Sequence, residues 1–495
     1  MIRNPLLLTA LTMTALVAIW GVVDTDSLAG FARDEVAQQF TSRAWFIMLV
    51  SGSIVVTALG LAVSPFGKIR LGADEDRPEF STLNWLTMLF AAGMGIGLLF
   101  YATTEPLTHY SQMEARVGAD RAASYALGVT SFNWAIHAWC IYAVTALIIA
   151  YFAYRKGQAA IIGTPIRYAF RRGRWVRPVA WLADLLAIYA IAIGLAGSLA
   201  MGVFQVQGGI QSLTGMSGNG DWLQFAIFGV LCVAFMLPLT VDLSRGMARL
   251  SNLAMGIAVF LMLYLLVLGP THFLMDGVVD SIGTYLSSFV RQSFATFPFF
   301  GKEFQSWFQD WTLNYIVWWI AWAPFVGVFV ARISRGRTIR EFLVGVVVAP
   351  SLFSIFWFGI FGGTGLYGVF NTDLPVLDVA LNDPEQTTFF VLDAFPLGSL
   401  TGALTVLAAF LFLVTSVVSA AFVLSMFSTG GDENPPVRIK LIWAAILGAL
   451  GLALMLTGDV GTVRAIIALG AMAFVFILPL LVVAFLKTLR QEESR

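Results

Sequence analysis

The chain has 495 residues, of which 58% are hydrophobic and 12% are charged, and its mean hydropathy is +0.82. Soluble globular proteins carry about 25% charged residues, so this composition excludes an ordinary soluble globule and indicates a polytopic membrane protein. The 29 basic and 29 acidic residues balance, and no basic tract in the sequence suggests nucleic acid as a partner.

Apolar runs of about 20 residues, long enough to cross a bilayer as helices, predict an all-α protein with twelve transmembrane spans. In chain order they cover residues 5–24, 44–64, 83–103, 122–152, 178–205, 222–241, 249–271, 311–333, 341–362, 398–428, 438–457 and 462–486. The first run has no clear small-residue cleavage site after it, so we interpret it as a helix and not as a secretory signal.

The loops orient this array. Those on the side of the N-terminus carry 22 of the 29 lysines and arginines. By the positive-inside rule, both termini are predicted to be cytoplasmic. Cys140 and Cys232 fall inside predicted spans, so the sequence implies no disulfide framework, metal cluster or cofactor.

Two spans contain residues that disrupt helices, and we expect a break in each. Gly93, Gly95 and Gly97 in the third span each lower helix propensity by about 1 kcal/mol relative to alanine, and Pro324 in the eighth removes a backbone donor. The two spans are five apart, which predicts two five-helix units arranged as inverted repeats with a site between them near the midplane. The predicted divisions are two N-terminal helices (1–82), the first unit (83–275), an external connecting segment (276–310), the second unit (311–487) and a short cytoplasmic tail (488–495).

The glycine stretch GMGIG has two interpretations. Gly93 and Gly97 form a G-x-x-x-G pair, which lets helices pack closely. Loosened backbone at membrane depth is also tolerated where it lines a cavity.

The eighth and fourth spans each place three aromatic residues on one helix face. They are Trp318, Trp319 and Trp322 in NYIVWWIAWAPF, and Trp134, Trp139 and Tyr142 in SFNWAIHAWCIY. At about 100° per residue, the first three cover roughly 100° of arc and the second three roughly 140°. Membrane tryptophans are often interfacial anchors, but these lie well inside their spans. We therefore predict that they form one aromatic box.

An aromatic box favours a particular ligand. Ring faces attract cations by up to about 2 kcal/mol or more in a desolvated contact, and a quaternary ammonium has no strong hydrogen bond to donate. We expect no aspartate or glutamate at the depth of the box. A cation bound there would need to bring its own negative group.

Two motifs carry a family resemblance that covers essentially the whole chain. The stretch WWIAWAPFVGVFVARISRGRTIREF, together with GMGIG followed by TEPLTH, closely resembles the betaine/carnitine/choline transporter family. The resemblance implies a secondary transporter of the bacterial inner membrane with a LeuT-like five-plus-five inverted repeat, often a homotrimer, that carries trimethylammonium-type compatible solutes. The six aromatic residues above stand where the family places its substrate-contacting rings, with Gly93, Met94, Gly95 and Gly97 beside them.

The resemblance also bears on substrate charge and on the coupling ion. Choline carriers of the family tend to have aspartate at the position of Gly97, so glycine there favours a zwitterion such as glycine betaine. Sodium-coupled relatives form one ion site from the third and tenth spans. The matching residues here are Ala91, Met94, Phe412, Thr415 and Ser416. A pair of membrane hydroxyls such as Thr415 and Ser416 can instead be bonded to backbone or to a neighbouring helix.

A second sodium site of relatives looks lost. The two threonines that they carry in the fifth span correspond to Ile191 and Leu195, which offer no side-chain oxygen. An acidic residue that often follows the Thr-Ser pair is replaced by Val418. We therefore predict one sodium ion per transport cycle.

Three other polar residues receive structural interpretations. His137 is expected to be a hydrogen-bonded core histidine, and Asp184 and Glu105 are expected to be capping or structural groups near helix ends.

Several functions remain open at this stage. A proton-coupled or sodium-independent carrier or exchanger of choline, carnitine, dimethylsulfoniopropionate or ectoine is the main alternative. An ion channel could use the broken helices as pore lining. A membrane-embedded enzyme would need a catalytic constellation, and none is apparent among His109, His137 and His272.

Overall fold

A computed structural model describes residues 4–93, 95–216, 221–240 and 244–492, and for residues 90–93, 221, 244 and 245 it describes the backbone alone. Nineteen α-helices lie in these ranges. The first eleven are α1 (Pro5–Val23), α2 (Thr25–Val63), α3 (Thr82–Gly93), α4 (Ile96–Val117), α5 (Ala119–Trp134), α6 (Ile136–Ala150), α7 (Thr164–Ala169), α8 (Val176–Thr214), α9 (Asp221–Thr240), α10 (Ser244–Leu268) and α11 (Thr271–Ser293). The remaining eight are α12 (Lys302–Phe308), α13 (Asn314–Ile333), α14 (Ile339–Asn371), α15 (Val376–Asn382), α16 (Thr387–Asp393), α17 (Gly398–Ser428), α18 (Val437–Met455) and α19 (Val460–Glu492).

The membrane-spanning prediction is confirmed at the level of fold class. Eleven helical stretches in the described part of the chain are long and apolar enough to cross a membrane. The remaining predicted span, 83–103, corresponds to α3 and the start of α4, which the glycine stretch divides. The protein is therefore an all-α, polytopic membrane protein.

The predicted break in the third span is present. Helix α3 ends at Gly93 and α4 begins at Ile96, with Gly95 in an extended conformation (φ −108°, ψ −163°). Met94 lies outside the described residues, and the side chain of Ala91 does too.

The predicted break at Pro324 is wrong. Helix α13 runs through this proline from Asn314 to Ile333. A proline in a helix removes one backbone hydrogen bond, and surrounding helices can compensate for that loss inside a membrane protein. The irregular part of the eighth span comes earlier, as a π-helical turn at Gln309–Leu313 that joins α12 to α13.

The fourth span contains an interruption that the sequence did not predict. Helix α5 ends at Trp134 and α6 begins at Ile136, with Ala135 between them at φ −103°, ψ −120°. The backbone N–H of Ile136 donates to the hydroxyl of Tyr285 on α11 (3.2 Å). This bond satisfies a donor that the interruption removes from the helical pattern, as an apolar environment requires.

Helix packing brings α4, α6 and α13 close together. Helix α6 packs along α13, α8 packs along α17, and α14 packs against both α4 and α6. Helix α11, most of which lies in the segment predicted to connect the two units, packs on α5 and α14. The aromatic residues of α5, α6 and α13 are thereby enclosed by helices. The division into two five-helix units stays a prediction.

Candidate functional site

All six predicted box residues point into the protein. Their exposed fractions lie between 1% and 7%: Trp134, Trp139, Tyr142, Trp318, Trp319 and Trp322. Interfacial anchors would be exposed at the protein surface. The interfacial interpretation is therefore excluded for these six side chains.

Five of the six rings form a continuous group, here called the aromatic cluster: Trp134, Trp139, Tyr142, Trp318 and Trp319. Trp319 is its centre, with ring centroids 5.0 Å from Trp134, 5.9 Å from Tyr142 and 6.2 Å from Trp318. Trp139 joins through Tyr142 at 5.7 Å. Most pairs are edge-to-face, a favourable geometry for aromatic rings.

Tyr315 and Tyr101 extend the cluster, and the sequence reasoning missed both. The Tyr315 ring stacks on Trp318 (6.0 Å, 7° between planes) and on Trp319 (5.7 Å, 19°). Tyr101 on α4 meets Trp318 edge-on at 6.4 Å. Tyr315 lies three and four residues before these tryptophans, so helical spacing alone would have placed it on the same face.

Trp322 lies apart from the cluster. Within the described part of the chain its ring contacts Phe325 (5.7 Å) and none of the other five predicted rings. The indole instead faces Gly95 and Gly194, where an added Cβ would lie 3.4 Å and 3.2 Å from its ring atoms. Its Nε1–H is buried and has no hydrogen-bond partner among the described residues. The prediction of a single six-ring box is correct for five rings only.

Gly97 lies against the ring of Trp134. A Cβ at residue 97 would lie 3.1 Å from Cη2 of the Trp134 ring. Because this is closer than nine in ten real Cβ contacts, the ring would have to shift by a few tenths of an ångström to admit a side chain here. The absence of a side chain lets the indole lie directly against the start of α4.

A buried carboxylate stands behind the cluster, which corrects the expectation of a box without acidic residues. Glu105 on α4 is 0% exposed. It accepts hydrogen bonds from Trp134 Nε1 and Tyr315 Oη (both 2.7 Å), Asn133 Nδ2 (2.9 Å) and His109 Nε2 (3.2 Å). Glu105 had been interpreted as a capping or structural group at a helix end. The predicted span ends at residue 103, whereas α4 continues to Val117 and places Glu105 inside a buried helix, where an ionisable residue is a candidate functional residue.

Arg464 on α19 is the basic residue near this carboxylate. It is 9% exposed, and its guanidinium lies 4.4 Å from the centroid of the Trp311 ring. Trp311 in turn contacts the rings of His109 (4.9 Å) and Tyr315 (6.1 Å), both of which bind Glu105. No direct ion pair joins Arg464 to Glu105 in the described part of the chain. The two buried charges are thus near neighbours separated by aromatic rings.

Four hydrogen bonds, here called the seam, join the α12–α13 segment to α4 and α5. In these bonds, Trp307 donates to His109 Nδ1 (3.2 Å), Thr312 to Asn133 Oδ1 (3.2 Å), Tyr315 to Glu105 Oε2 (2.7 Å) and Trp319 to the Asn133 carbonyl (2.8 Å). The carbonyl of Asn133 belongs to the last turn of α5, where it has no partner within that helix.

The π-helical turn explains how these four donors share one face. Thr312, Tyr315 and Trp319 follow each other at spacings of three and four, which align on an α-helix. Trp307 precedes Thr312 by five residues, a spacing that aligns in a π-helix but not in an α-helix. The turn at Gln309–Leu313 therefore brings Trp307 into line with the others.

Three residues of the predicted ion site lie on α17: Phe412, Thr415 and Ser416. The hydroxyl of Thr415 donates to the carbonyls of Leu411 (2.9 Å) and Phe412 (3.2 Å). The hydroxyl proton of Thr415 is thus bonded to backbone, as one of the two interpretations expected. The lone pairs of its oxygen are not used by these bonds. The Thr415 hydroxyl and the Phe412 carbonyl are close enough to contact one cation together.

Ser416 borders a small cavity of about 10 Å³. This is close to the least volume that holds one water molecule. The lining residues are Ile96, Leu195, Ser198, Leu199, Trp322, Phe412, Leu413, Ser416 and Val417. Ser198, which the sequence reasoning did not single out, donates its proton to the carbonyl of Gly194 (3.2 Å). Leu195, at a position where relatives carry threonine, contributes only carbon atoms.

Of the two remaining polar residues, His137 differs from the expectation and Asp184 agrees with it. Both ring nitrogens of His137 are buried without a hydrogen-bond partner among the described residues, and the ring lies 4.2 Å from Phe132 and 5.2 Å from Phe289. The expectation of a hydrogen-bonded histidine is therefore wrong, because its neighbours are aromatic. Asp184 is structural, as expected: it accepts from Gly163 N (2.6 Å) and Arg167 Nη2 (2.5 Å).

Comparisons with known proteins agree over nearly the full length. The sequence profile described as BCCT, betaine/carnitine/choline family transporter, matches residues 5–494. The glycine betaine transporter OpuD of Bacillus subtilis (strain 168) is 38% identical over 489 residues, covering 97% of this chain and 93% of that protein. The probable glycine betaine transporter of Desulfitobacterium hafniense (strain Y51) is 34% identical over 498 residues, covering 99% and 98%.

A relative named for a different solute is also similar. The ectoine/hydroxyectoine transporter of Virgibacillus pantothenticus is 32% identical over 454 residues, covering 91% of this chain and 89% of that protein. These relatives are transporters and not enzymes. The chain therefore belongs to the betaine/carnitine/choline family of membrane transporters.

Proposed function

We propose that this transporter imports a zwitterionic quaternary ammonium compound, with glycine betaine as the first candidate, by alternating access. The observation that carries the proposal is the aromatic cluster, in which five buried rings from α5, α6 and α13 meet around Trp319. Ring faces bind a trimethylammonium group without a hydrogen bond. Gly93, Met94, Gly95 and Gly97 are proposed to contribute backbone contacts, and Trp322 a ring beyond Gly95.

The charges around the cluster favour a zwitterion over a net cation. Glu105 already accepts four hydrogen bonds, so it is not a free counter-ion for a ligand. Gly97 offers no carboxylate where choline carriers of the family tend to have one. A ligand that carries its own carboxylate meets both conditions.

The ring contacts imply that binding requires movement. The cavity beside Trp322 has room for about one water molecule, and a trimethylammonium group is several times larger. Trp134 also lies directly against the start of α4 at Gly97. Rings must therefore separate to admit the solute, which fits a closed state in an alternating-access cycle.

Coupling to one sodium ion is part of the proposal. The backbone oxygens of Ala91, Met94 and Phe412 and the hydroxyls of Thr415 and Ser416 would supply the ligands. Ile191 and Leu195 offer no oxygen for a second ion. One charge moving through 100 mV is worth about 2.3 kcal/mol, which is roughly a fifty-fold accumulation of solute before the sodium gradient is counted. A single ion is therefore enough for uptake.

Ectoine is a second candidate solute. It also combines a delocalised cation with a carboxylate, and the transporter of Virgibacillus pantothenticus named for ectoine and hydroxyectoine is 32% identical to this chain. The aromatic cluster suits either cation, so the choice between them requires a direct comparison.

We further propose a homotrimer in a bacterial inner membrane, with both termini in the cytoplasm. The orientation follows from the 22 of 29 basic residues on the side of the N-terminus. Native mass spectrometry would give the subunit number. Labelling of a single added cysteine at each terminus in intact cells would give the orientation.

The deciding experiment is uptake by proteoliposomes that contain the full-length protein. Glycine betaine, choline, carnitine, dimethylsulfoniopropionate and ectoine are compared, with sodium and proton gradients imposed separately. We expect sodium-driven uptake of glycine betaine and one charge moved per solute molecule. Uptake driven by protons alone, or exchange without sodium, would replace the coupling proposal, and two charges per neutral solute would show a second sodium ion.

A further inference from the structure

Glu105 lies where it can act on the aromatic cluster without touching a ligand. Two of its four donors are themselves parts of the extended ring group. One is the indole N–H of Trp134 on α5, and the other is the phenol O–H of Tyr315 on α13, each 2.7 Å from the same carboxylate oxygen. The carboxylate thus joins a ring from each predicted five-helix unit.

Each of the four side chains bonded to this carboxylate can act as its donor. Trp134 and the amide nitrogen of Asn133 can only donate, and the Asn133 amide is oriented by Thr312, which donates to its oxygen. His109 Nδ1 accepts from the Trp307 indole, so the ring proton is on Nε2 and is donated to Glu105. With Tyr315 also donating, every partner brings a proton, which leaves Glu105 as an acceptor only.

Trp134 spans the distance between this charge and the cluster. Its N–H end binds Glu105, while its opposite ring edge lies against Gly97 and its faces and edges meet Trp319 and Tyr315 at 5.0 Å and 5.3 Å. The indole is therefore fixed at both ends. A hydrogen bond from an indole or phenol to an anion also shifts electron density from the donor into its ring, which strengthens the attraction of the ring for a cation.

We infer that Glu105 is a positioning residue for the substrate cation: its carboxylate orients Trp134 and Tyr315 and supplies negative charge to the cluster through their rings. This inference rests on the proposed function, because it assumes that the cluster binds a quaternary ammonium. It explains how a surface of rings without a free carboxylate attracts a cation. The negative charge lies behind the rings, where the four donors keep it from pairing with the ligand.

The test uses two ligands of nearly equal shape and different charge. Glycine betaine carries a trimethylammonium group, and 3,3-dimethylbutanoate carries a neutral tert-butyl group in its place. Their affinities for the purified full-length transporter are measured by tryptophan fluorescence or calorimetry. The ratio of the two affinities isolates the cation–ring attraction, because both ligands share the carboxylate and the shape.

We expect Glu105→Gln and Tyr315→Phe to lower this ratio by about three- to ten-fold, the range of a partial loss of cation–π attraction. The control is Tyr110→Phe, since Tyr110 donates to Glu114 (2.9 Å) within α4 and away from the cluster. A purely structural role would weaken both ligands equally. An unchanged ratio in Glu105→Gln and Tyr315→Phe, or an equal drop in Tyr110→Phe, would overturn the inference.

A second measurement needs no ligand. The indole N–H vibration of Trp134 is obtained by ultraviolet resonance Raman spectroscopy as the difference between the wild type and Trp134→Phe. We expect a strongly hydrogen-bonded signal that weakens in Glu105→Gln and stays in Tyr110→Phe. A signal that does not change in Glu105→Gln would overturn the positioning role. If the wild type fails to bind betaine, the proposed function falls, and this spectrum still decides whether Glu105 holds Trp134.

Discussion

The seam and the region around the glycine break are built on opposite principles. At the seam, side chains of α12 and α13 bind α4 and α5 through four hydrogen bonds, and Glu105 has four donors. At the glycine break, Trp322 Nε1 has no partner among the described residues, and Thr415 and Ser198 donate to carbonyls of their own helices. Buried polar groups are normally satisfied by the protein. The seam is therefore completed by the protein itself, whereas beside the break the buried Nε1–H of Trp322 is left without a partner among the described residues.

The largest expected effect is at Trp319, which is the centre of the aromatic cluster and also donates one hydrogen bond of the seam. Trp319→Leu removes the central ring of the cluster and its hydrogen bond to the Asn133 carbonyl (2.8 Å). A desolvated cation–ring contact is worth up to about 2 kcal/mol or more, and the neighbouring rings lose their packing partner. We expect uptake in proteoliposomes to fall to background while the protein still purifies as a folded species.

Trp45→Leu is the matched control, because Trp45 is 62% exposed on α2. This variant should keep normal uptake. If Trp319→Leu kept an unchanged affinity for glycine betaine, the cluster would have no part in binding.

At the break, the next effect concerns the coupling ion. Ser416→Ala removes a hydroxyl that borders the small cavity beside Trp322. Loss of one ligand to a charged group is worth about 1.5–3 kcal/mol, so we expect the sodium concentration for half-maximal uptake to rise about ten-fold or more. The measurement is initial uptake rate against sodium concentration at saturating solute.

Ser425→Ala serves as the control for that measurement. Ser425 lies on the same helix, α17, and is buried, but its hydroxyl bonds the Ala421 carbonyl (2.6 Å). Its sodium dependence should match the wild type. An equal shift in both variants would mean that α17 was disturbed as a whole, and no shift in Ser416→Ala would remove this residue from the ion site.

A smaller effect tests how Gly97 and Glu105 together hold the ring of Trp134. In Gly97→Ala, the new Cβ would lie 3.1 Å from the far edge of the ring, whose N–H end is held by Glu105. The ring cannot move away without weakening that bond, so we expect the affinity for glycine betaine to fall about five-fold, or about 1 kcal/mol. In a Glu105→Gln background the same substitution should cost less, because the ring is freer to shift.

Gly60→Ala is the control for this substitution. Gly60 lies within α2, and an added Cβ there meets nothing within 4 Å. Alanine at an open helical position is neutral or stabilising. Equal losses of affinity in Gly97→Ala and Gly60→Ala would show that the contact with Trp134 is irrelevant.

The interruption at the glycine stretch could be predicted from local sequence, whereas the hydrogen bonds of the seam could not. Glycines that lower helix propensity marked the interruption before Ile96, and apolar run length predicted α17 at residues 398–428 as observed. The interruption at Ala135 contains neither glycine nor proline, and it is stabilised by the hydroxyl of Tyr285 more than a hundred residues away. The π-helical turn at Gln309–Leu313 likewise has no local signature. Features that depend on residues distant in the sequence cannot be predicted from local periodicity.

The residues of the cluster show the same limit. Helical spacing identified five converging rings, although the interruption at Ala135 separates Trp134 on α5 from Trp139 and Tyr142 on α6. It placed Trp322 with them because it could not show that this indole turns toward Gly194 on α8. It placed Glu105 at a helix end because the donors on Asn133, Trp134 and Tyr315 come from other helices.

The last comparison concerns stability and two buried tyrosines of the extended cluster, one with a hydrogen-bond partner and one without. Tyr315→Phe removes one of the four donors to the buried Glu105 carboxylate, and leaving a buried polar group without one of its partners is unfavourable by about 1–3 kcal/mol. Tyr142→Phe removes a hydroxyl that has no partner among the described residues, and burying such a group unpaired is itself unfavourable by about 1–3 kcal/mol. In thermal unfolding without solute, Tyr315→Phe should therefore lower the Tm, whereas Tyr142→Phe should leave it unchanged or raise it. Saturating glycine betaine should then raise the Tm of the wild type more than that of Tyr142→Phe, because a ligand stabilises in proportion to its affinity and the free hydroxyl is available to bind its carboxylate. A Tm loss in Tyr142→Phe as large as in Tyr315→Phe would show that the protein itself supplies a hydrogen-bond partner to both hydroxyls.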